Sequence, residues 1–128
     1  ADEPIERGDG LILVIDDEEI IRVTARHMLE ECGYRVITAA DGEEGSAVYW
    51  ERHREITAVL LDVAMPRKSG IETYAEMKQI NPSVRILLTS GFKQDERVQK
   101  LLARGVDDFI QKPYSMADLS RKMKTIIG

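Results

Sequence analysis

The segment LILVIDDEE, residues 11–19, decides the fold class of this chain. It joins an uninterrupted apolar run to four consecutive carboxylates. A short run that is apolar at every position is typical of a strand covered on both faces, as in a parallel sheet. The acidic residues then follow the carboxyl end of the strand, which is where the parallel sheets of α/β proteins bind their ligands.

Further runs rich in Val, Ile and Leu follow, and longer amphipathic stretches separate them. The runs occupy residues 34–38, 56–61, 84–89 and, more weakly, 107–111. The alternation of short apolar runs with helical stretches is the pattern of βα units around a parallel sheet. The sequence therefore predicts an α/β domain with five strands.

The stretches between the runs carry apolar residues at helical spacing. The first places His27 on a stripe that we expect to face inward. We expect the second helix at residues 42–54, where Gly45 weakens it by up to ~1 kcal/mol relative to Ala. The third, residues 70–80, ends before a proline. The apolar positions that mark the last two helices are Val98, Leu101 and Leu102, then Met116, Leu119, Met123 and Ile126.

Composition limits the classes of function. With 128 residues, 43% of them hydrophobic, the chain has the size of one globular domain, which we place at residues 11–128 after a linker at residues 1–10. A net charge of −5 argues against a nucleic-acid-binding face, and no apolar run is long enough for a transmembrane helix, so we expect no membrane contact by this domain. Cys32 is the only cysteine, which excludes an intramolecular disulfide and favours a cytoplasmic location.

Chemically reactive side chains stand directly after four of the runs. Asp16 and Asp17 follow the first, Asp62 the third, Ser90 the fourth and Lys112 the fifth. Singly, each has a structural explanation: the acids would cap helices, worth roughly 0.3–1 kcal/mol, and the lysine would be a solvated surface cation. Together, three carboxylates at one sheet edge repel one another unless a divalent cation lies among them, and a small set of oxygen ligands suits Mg²⁺.

Four segments resemble, in order and separation, the motifs of receiver (response-regulator) domains of two-component signalling. They are LILVIDDEE, LLDVAMPRKSG, LLTSG and DFIQKP, and the resemblance covers roughly residues 11–127. It implies a flavodoxin-like three-layer (βα)5 fold whose five-stranded parallel sheet has the order 2-1-3-4-5. It also implies a domain that takes a phosphoryl group from a histidine kinase or a histidine phosphotransfer domain and catalyses its own phosphorylation and dephosphorylation. The implied ion is Mg²⁺, with Mn²⁺ as an alternative, and a homodimer is an option.

The resemblance assigns the acceptor and the metal ligands. It makes Asp62 the phospho-acceptor and places the metal ion against Asp62, Asp17 and, partly through water, Asp16. In the family, a backbone carbonyl completes the protein ligands, and its position here is Ala64. Many receivers carry a polar side chain at that position, so the lifetime of the phosphoryl group does not follow from the resemblance.

The resemblance also assigns the residues of the conformational switch. Ser90 matches the switch hydroxyl, Phe109 the aromatic residue that turns inward with it, and Lys112 the lysine beside the phosphoryl group. Pro113 matches a proline whose peptide bond is commonly cis. Residues 93–127 correspond to the surface that the family uses for partners, although its charges also suit a solvated helical face.

Other classes of protein fit less well. A flavodoxin-like cofactor protein would need N–H groups and hydroxyls after its first strand, where this chain has carboxylates. A metal-dependent phosphatase with an Asp nucleophile usually has a second acid two residues later, where this chain has Ala64. If the chain is a receiver domain, its motifs resemble those of receivers attached to hybrid sensor histidine kinases. A response regulator is the close alternative as the parent protein.

Overall fold

A computed structural model describes residues 4–92 and 94–128 of the chain. Residues 1–3 of the predicted linker and residue 93 of the predicted partner surface lie outside the described residues. Strands and helices alternate strictly along the described part. They are β1 Leu11–Ile15, α1 Glu19–Glu31, β2 Arg35–Ala39, α2 Gly42–Arg52, β3 Ile56–Asp62, α3 Gly70–Ile80, β4 Ile86–Ser90, α4 Glu96–Ala103, β5 Asp108–Gln111 and α5 Met116–Ile127.

The strands form one parallel sheet in the order β2-β1-β3-β4-β5, which confirms the predicted topology. Every residue of β1 is buried, as its unbroken apolar sequence indicated. Register aligns the carboxyl ends of neighbouring strands: Ile15 pairs with Leu61, and Asp62 pairs with Thr89. Residues that directly follow β1 and β3 therefore emerge at the same edge of the sheet.

Helices cover both faces of the sheet, giving the predicted three layers. Alternate residues of β1 point to opposite faces, so that Leu13 lies in one hydrophobic cluster and Val14 in the other. The Leu13 cluster includes buried residues of α2, α3 and α4. The Val14 cluster includes buried residues of α1 and α5. Each layer is therefore fixed by apolar burial against the central strands.

Gly45 brings α2 close to the sheet. A Cβ atom at this position would lie 2.5 Å from Cδ1 of Ile15, so any larger residue would require Ile15 to move. The helix forms despite this glycine, and the Asp41 side chain caps it by accepting from the backbone N–H of Glu44 at 2.8 Å. Close packing onto β1 thus offsets the weak helix propensity that the sequence indicated.

The prediction that His27 faces inward on α1 was wrong. His27 is exposed, and Ile20 at the start of the helix is 79% exposed. Ala25 and Leu29 are the fully buried positions of this helix. Helical spacing alone did not place the stripe, because apolar residues occur on more than one side of this helix and only packing against the sheet selects among them. Among the residues that the structure describes, no helix combines the length and apolarity needed to cross a bilayer.

Candidate functional site

The structure brings together the three carboxylates that the sequence singled out. One ligand oxygen from each of Asp16, Asp17 and Asp62 lies within 4.8 Å of the others. Asp16 and Asp62 are buried, with 2% and 1% of their surfaces exposed, whereas Asp17 is exposed. The parallel register explains why Asp16 and Asp62 lie close together, because they follow the paired residues Ile15 and Leu61.

Lys112 reaches into this cluster from the end of β5. Its Nζ lies 2.8 Å from Oδ2 of Asp16 and 3.3 Å from Oδ2 of Asp62, and its side chain is only 10% exposed. The same Nζ lies 3.4 Å from Oε1 of the exposed Glu18, a contact that sequence reasoning missed. Its backbone N–H donates to the carbonyl of Ser90 at 2.9 Å, which ties β5 to β4.

Charge within the cluster is unbalanced. The pKa of the Asp62 carboxyl is raised to about 6, chiefly by burial and also by the nearby charge of Asp16, while the Ala64 N–H and Lys112 act in the opposite direction. Burial tends to lower the pKa of Lys112, but its contacts with Asp16 and Asp62 raise it above its ordinary value. One ammonium therefore faces two buried carboxylates and an exposed third. Excess negative charge on oxygen ligands is the donor chemistry that suits Mg²⁺.

The raised pKa of Asp62 predicts a pH-dependent stability for the metal-free protein. The folded protein keeps this proton up to about pH 6, whereas the group's ordinary value is 3.8. Since the folded state binds more protons between these values, the free energy of unfolding should fall by about 2 kcal/mol as the pH rises from 4 to 6. Urea unfolding in the presence of a chelator measures this. An equal decline in Asp62→Asn would contradict the assignment to Asp62.

Ser90 lies at the same sheet edge but has a different partner. Its buried Oγ donates to Oδ2 of Asp95 at 2.7 Å and accepts from the backbone N–H of Phe92 at 3.1 Å. Asp95 caps α4 by accepting from the backbone N–H of Arg97 at 2.9 Å. Sequence reasoning did not identify Asp95, and its only signal there was an acid placed immediately before a helix.

The remaining residues predicted for the site are Ala64, Phe109 and Pro113. The backbone N–H of Ala64 donates to Oδ1 of Asp62 at 3.1 Å and orients that carboxylate. Phe109 is half-buried on β5 against the cluster of α2, α3 and α4, and its carbonyl accepts from Nζ of Lys122 at 2.6 Å. The peptide bond between Lys112 and Pro113 is cis.

Residues 12–124 match the family model described as the response regulator receiver domain. This chain belongs to the receiver-domain family. The transcriptional regulatory protein PhoP for alkaline phosphatase synthesis, from Bacillus subtilis, is 36% identical over 118 residues, which are 91% of this chain and 48% of that protein. The sensor kinase CckA of Brucella abortus is 28% identical over 120 residues, which are 94% of this chain and 13% of that protein.

Solved receiver structures share the fold. A CheX–CheY–BeF3–Mg²⁺ complex from Borrelia burgdorferi has a TM-score of 0.87 at 26% identity, covering 93% of this chain and 90% of that chain. Receiver domains bind Mg²⁺ and interact with histidine kinases or phosphotransfer proteins. None of these findings supports the flavodoxin-like cofactor alternative. The chain spans about half the length of PhoP and a small part of CckA.

Proposed function

We propose that this receiver domain accepts a phosphoryl group on the carboxylate of Asp62, from a phospho-His donor, in a reaction that requires Mg²⁺. The observation that carries the proposal is the burial of Asp62 within 3.3 Å of the Lys112 ammonium, among carboxylates able to share a metal ion. An oxygen of Asp62 attacks phosphorus, and the bond between phosphorus and the imidazole nitrogen of the donor breaks. The phosphoryl group thereby passes from nitrogen to oxygen.

The metal ligands in this proposal are Asp16, Asp17, Asp62 and the backbone carbonyl of Ala64. A bound divalent ion would neutralise charge on the transferring group. Mn²⁺ shares the preference of Mg²⁺ for carboxylate and carbonyl oxygen, so it is a second candidate ion. The Ala64 N–H holds one oxygen of Asp62, which orients the nucleophile before the donor arrives.

Lys112, Ser90 and Phe109 have distinct roles in the proposal. The ammonium of Lys112 balances charge on the phosphoryl oxygens, because it already lies beside Asp62. The Ser90 hydroxyl donates a hydrogen bond to a phosphoryl oxygen once the group is in place. Phe109, only half-buried in this structure, turns inward with that movement and alters the surface of α4, β5 and α5.

We propose a cytoplasmic location for this domain and, as its partner, a histidine kinase or histidine phosphotransfer domain, with no nucleic acid or membrane contact by this domain. The LLTSG and QKP motifs and the likeness to a sensor kinase support a hybrid kinase as the parent, whereas the likeness to PhoP supports a response regulator. The complete reading frame would decide between these parents. A homodimer is a separate proposal that sedimentation would test.

Incubation with acetyl phosphate tests the function directly. We expect intact-mass spectrometry to show the gain of one phosphoryl group when Mg²⁺ is present and none when a chelator has removed it. The metal matters because the buried carboxylates otherwise repel the anionic donor. Labelling that proceeds equally without a divalent ion would contradict the proposed chemistry.

A further inference from the structure

The hydrogen of the Ser90 hydroxyl is already engaged in this structure. A serine hydroxyl has a single proton to donate, and here Asp95 receives it at 2.7 Å. Both side chains are sequestered from solvent, with Ser90 fully buried and Asp95 7% exposed. Water therefore competes little with this contact, and a hydrogen bond to an ionised acceptor is stronger than a neutral one.

Arg97 holds the Asp95 carboxylate in place. Its Nε donates to Oδ1 at 3.0 Å and its Nη2 donates to Oδ2 at 2.8 Å, so the guanidinium binds both oxygens. Hydrogen bonding by Arg97 lowers the pKa of Asp95 to about 2, and the Ser90 hydroxyl contributes, although burial acts in the opposite direction. Asp95 is thus ionised at neutral pH and always available as an acceptor.

A phosphoryl oxygen on Asp62 and the Asp95 carboxylate are both acceptors only, so one hydroxyl proton cannot satisfy the two at once. We propose that Asp95 is a positioning residue that holds the Ser90 hydroxyl in a resting arrangement, from which phosphorylation must release it. This inference rests on the proposed function of Asp62 and adds a regulatory step at the same site.

Release of the Ser90 hydroxyl from Asp95 would change the protein surface at α4. The Asp95 side chain that receives the Ser90 proton also caps this helix through the Arg97 N–H. The pKa of Arg97 is raised chiefly by its hydrogen bond to Asp95, and the charge of Asp62 also contributes. Loss of the Ser90 contact therefore changes the first turn of α4, which is part of the proposed partner surface.

Asp95→Asn tests the resting contact with little change to the helix. Asn is as good an N-cap as Asp, but its amide nitrogen cannot accept the Ser90 proton. We expect acetyl phosphate to label this variant roughly threefold to tenfold faster than wild type. The reason is that the Ser90 hydroxyl no longer has to break a charge-assisted hydrogen bond before it can donate to a phosphoryl oxygen. Asp41→Asn, the same change at the cap of α2, should leave the rate unaltered.

A Ser90→Ala background separates the contact from a simple loss of negative charge. There, Asp95→Asn should change the labelling rate less than twofold, since no hydroxyl remains to be released. Asp95→Ser, which also provides an N-cap but is too short to keep both contacts, serves as a second variant. An unchanged rate in both Asp95 variants, or an equal increase in the Ser90→Ala background, would overturn the inference.

The outcomes also distinguish this inference from the proposed function. Wild-type labelling at Asp62 together with unaltered Asp95 variants would overturn the resting contact alone. Absence of labelling at Asp62 in the wild type would overturn the proposed function and, with it, the role of Asp95.

Discussion

Replacing Asp62 with Asn should abolish phosphorylation of this chain by acetyl phosphate and by a phospho-His donor. An amide oxygen lacks the charge and the nucleophilicity of a carboxylate. We do not expect the other carboxylates of the cluster to replace Asp62 as acceptor, because their oxygens have other partners. Oδ2 of Asp16, for example, lies 2.8 Å from the Lys112 ammonium. Intact-mass spectrometry followed by peptide mapping measures the effect, and we expect the labelled fraction to fall below detection.

Loss of labelling in this variant should not arise from unfolding. Asn has nearly the same shape as Asp, and the change removes a buried charge whose pKa is raised to about 6 by burial and by Asp16. The variant should therefore be at least as stable as wild type at neutral pH when no metal is present. Asp9→Asn, at an exposed position, is the control and should be labelled normally. Persistent labelling of Asp62→Asn would refute the assignment of the acceptor.

Replacing Lys112 with Met should lower the free energy of unfolding of the metal-free protein by about 3 kcal/mol at neutral pH. The lysine side chain is 10% exposed and is the cation within 3.3 Å of both buried carboxylates. Its removal leaves Asp16 and Asp62 facing each other without compensation, while Met keeps most of the apolar stem. Urea unfolding measures the loss.

Mg²⁺ should restore most of the stability lost in Lys112→Met, because a divalent ion supplies the missing positive charge. Lys124→Met, an exposed change on α5, should cost little under either condition. Combining Lys112→Met with Asp62→Asn should reduce the cost, since one of the two repelling charges is gone. An equal loss with and without Mg²⁺ would show that Lys112 contributes by packing and not by charge.

Much of the fold follows from local sequence. The unbroken apolar run of β1 indicated a strand buried on both faces, and all of its residues are buried. The resemblance to receiver domains supplied the strand order, which residue patterns alone do not encode. The apolar stripe of α1 shows the limit: exposed Ile20 and buried Leu29 are equally apolar, and only the position of the sheet decides which is covered.

By itself, the sequence determined which chemically reactive residues stand at the ends of strands, because strands and their ends are specified by local apolar runs. Only the tertiary structure decided how those residues interact. Burial is the main reason that the pKa of Asp62 is raised to about 6, and the Ser90 hydroxyl donates its hydrogen bond to Asp95 and not toward the acceptor site. The physical reason is that desolvation of Asp62 depends on strand ends that are distant in the sequence, and the hydrogen-bond partner of Ser90 depends on the path of the segment between β4 and α4. Local spacing reveals neither.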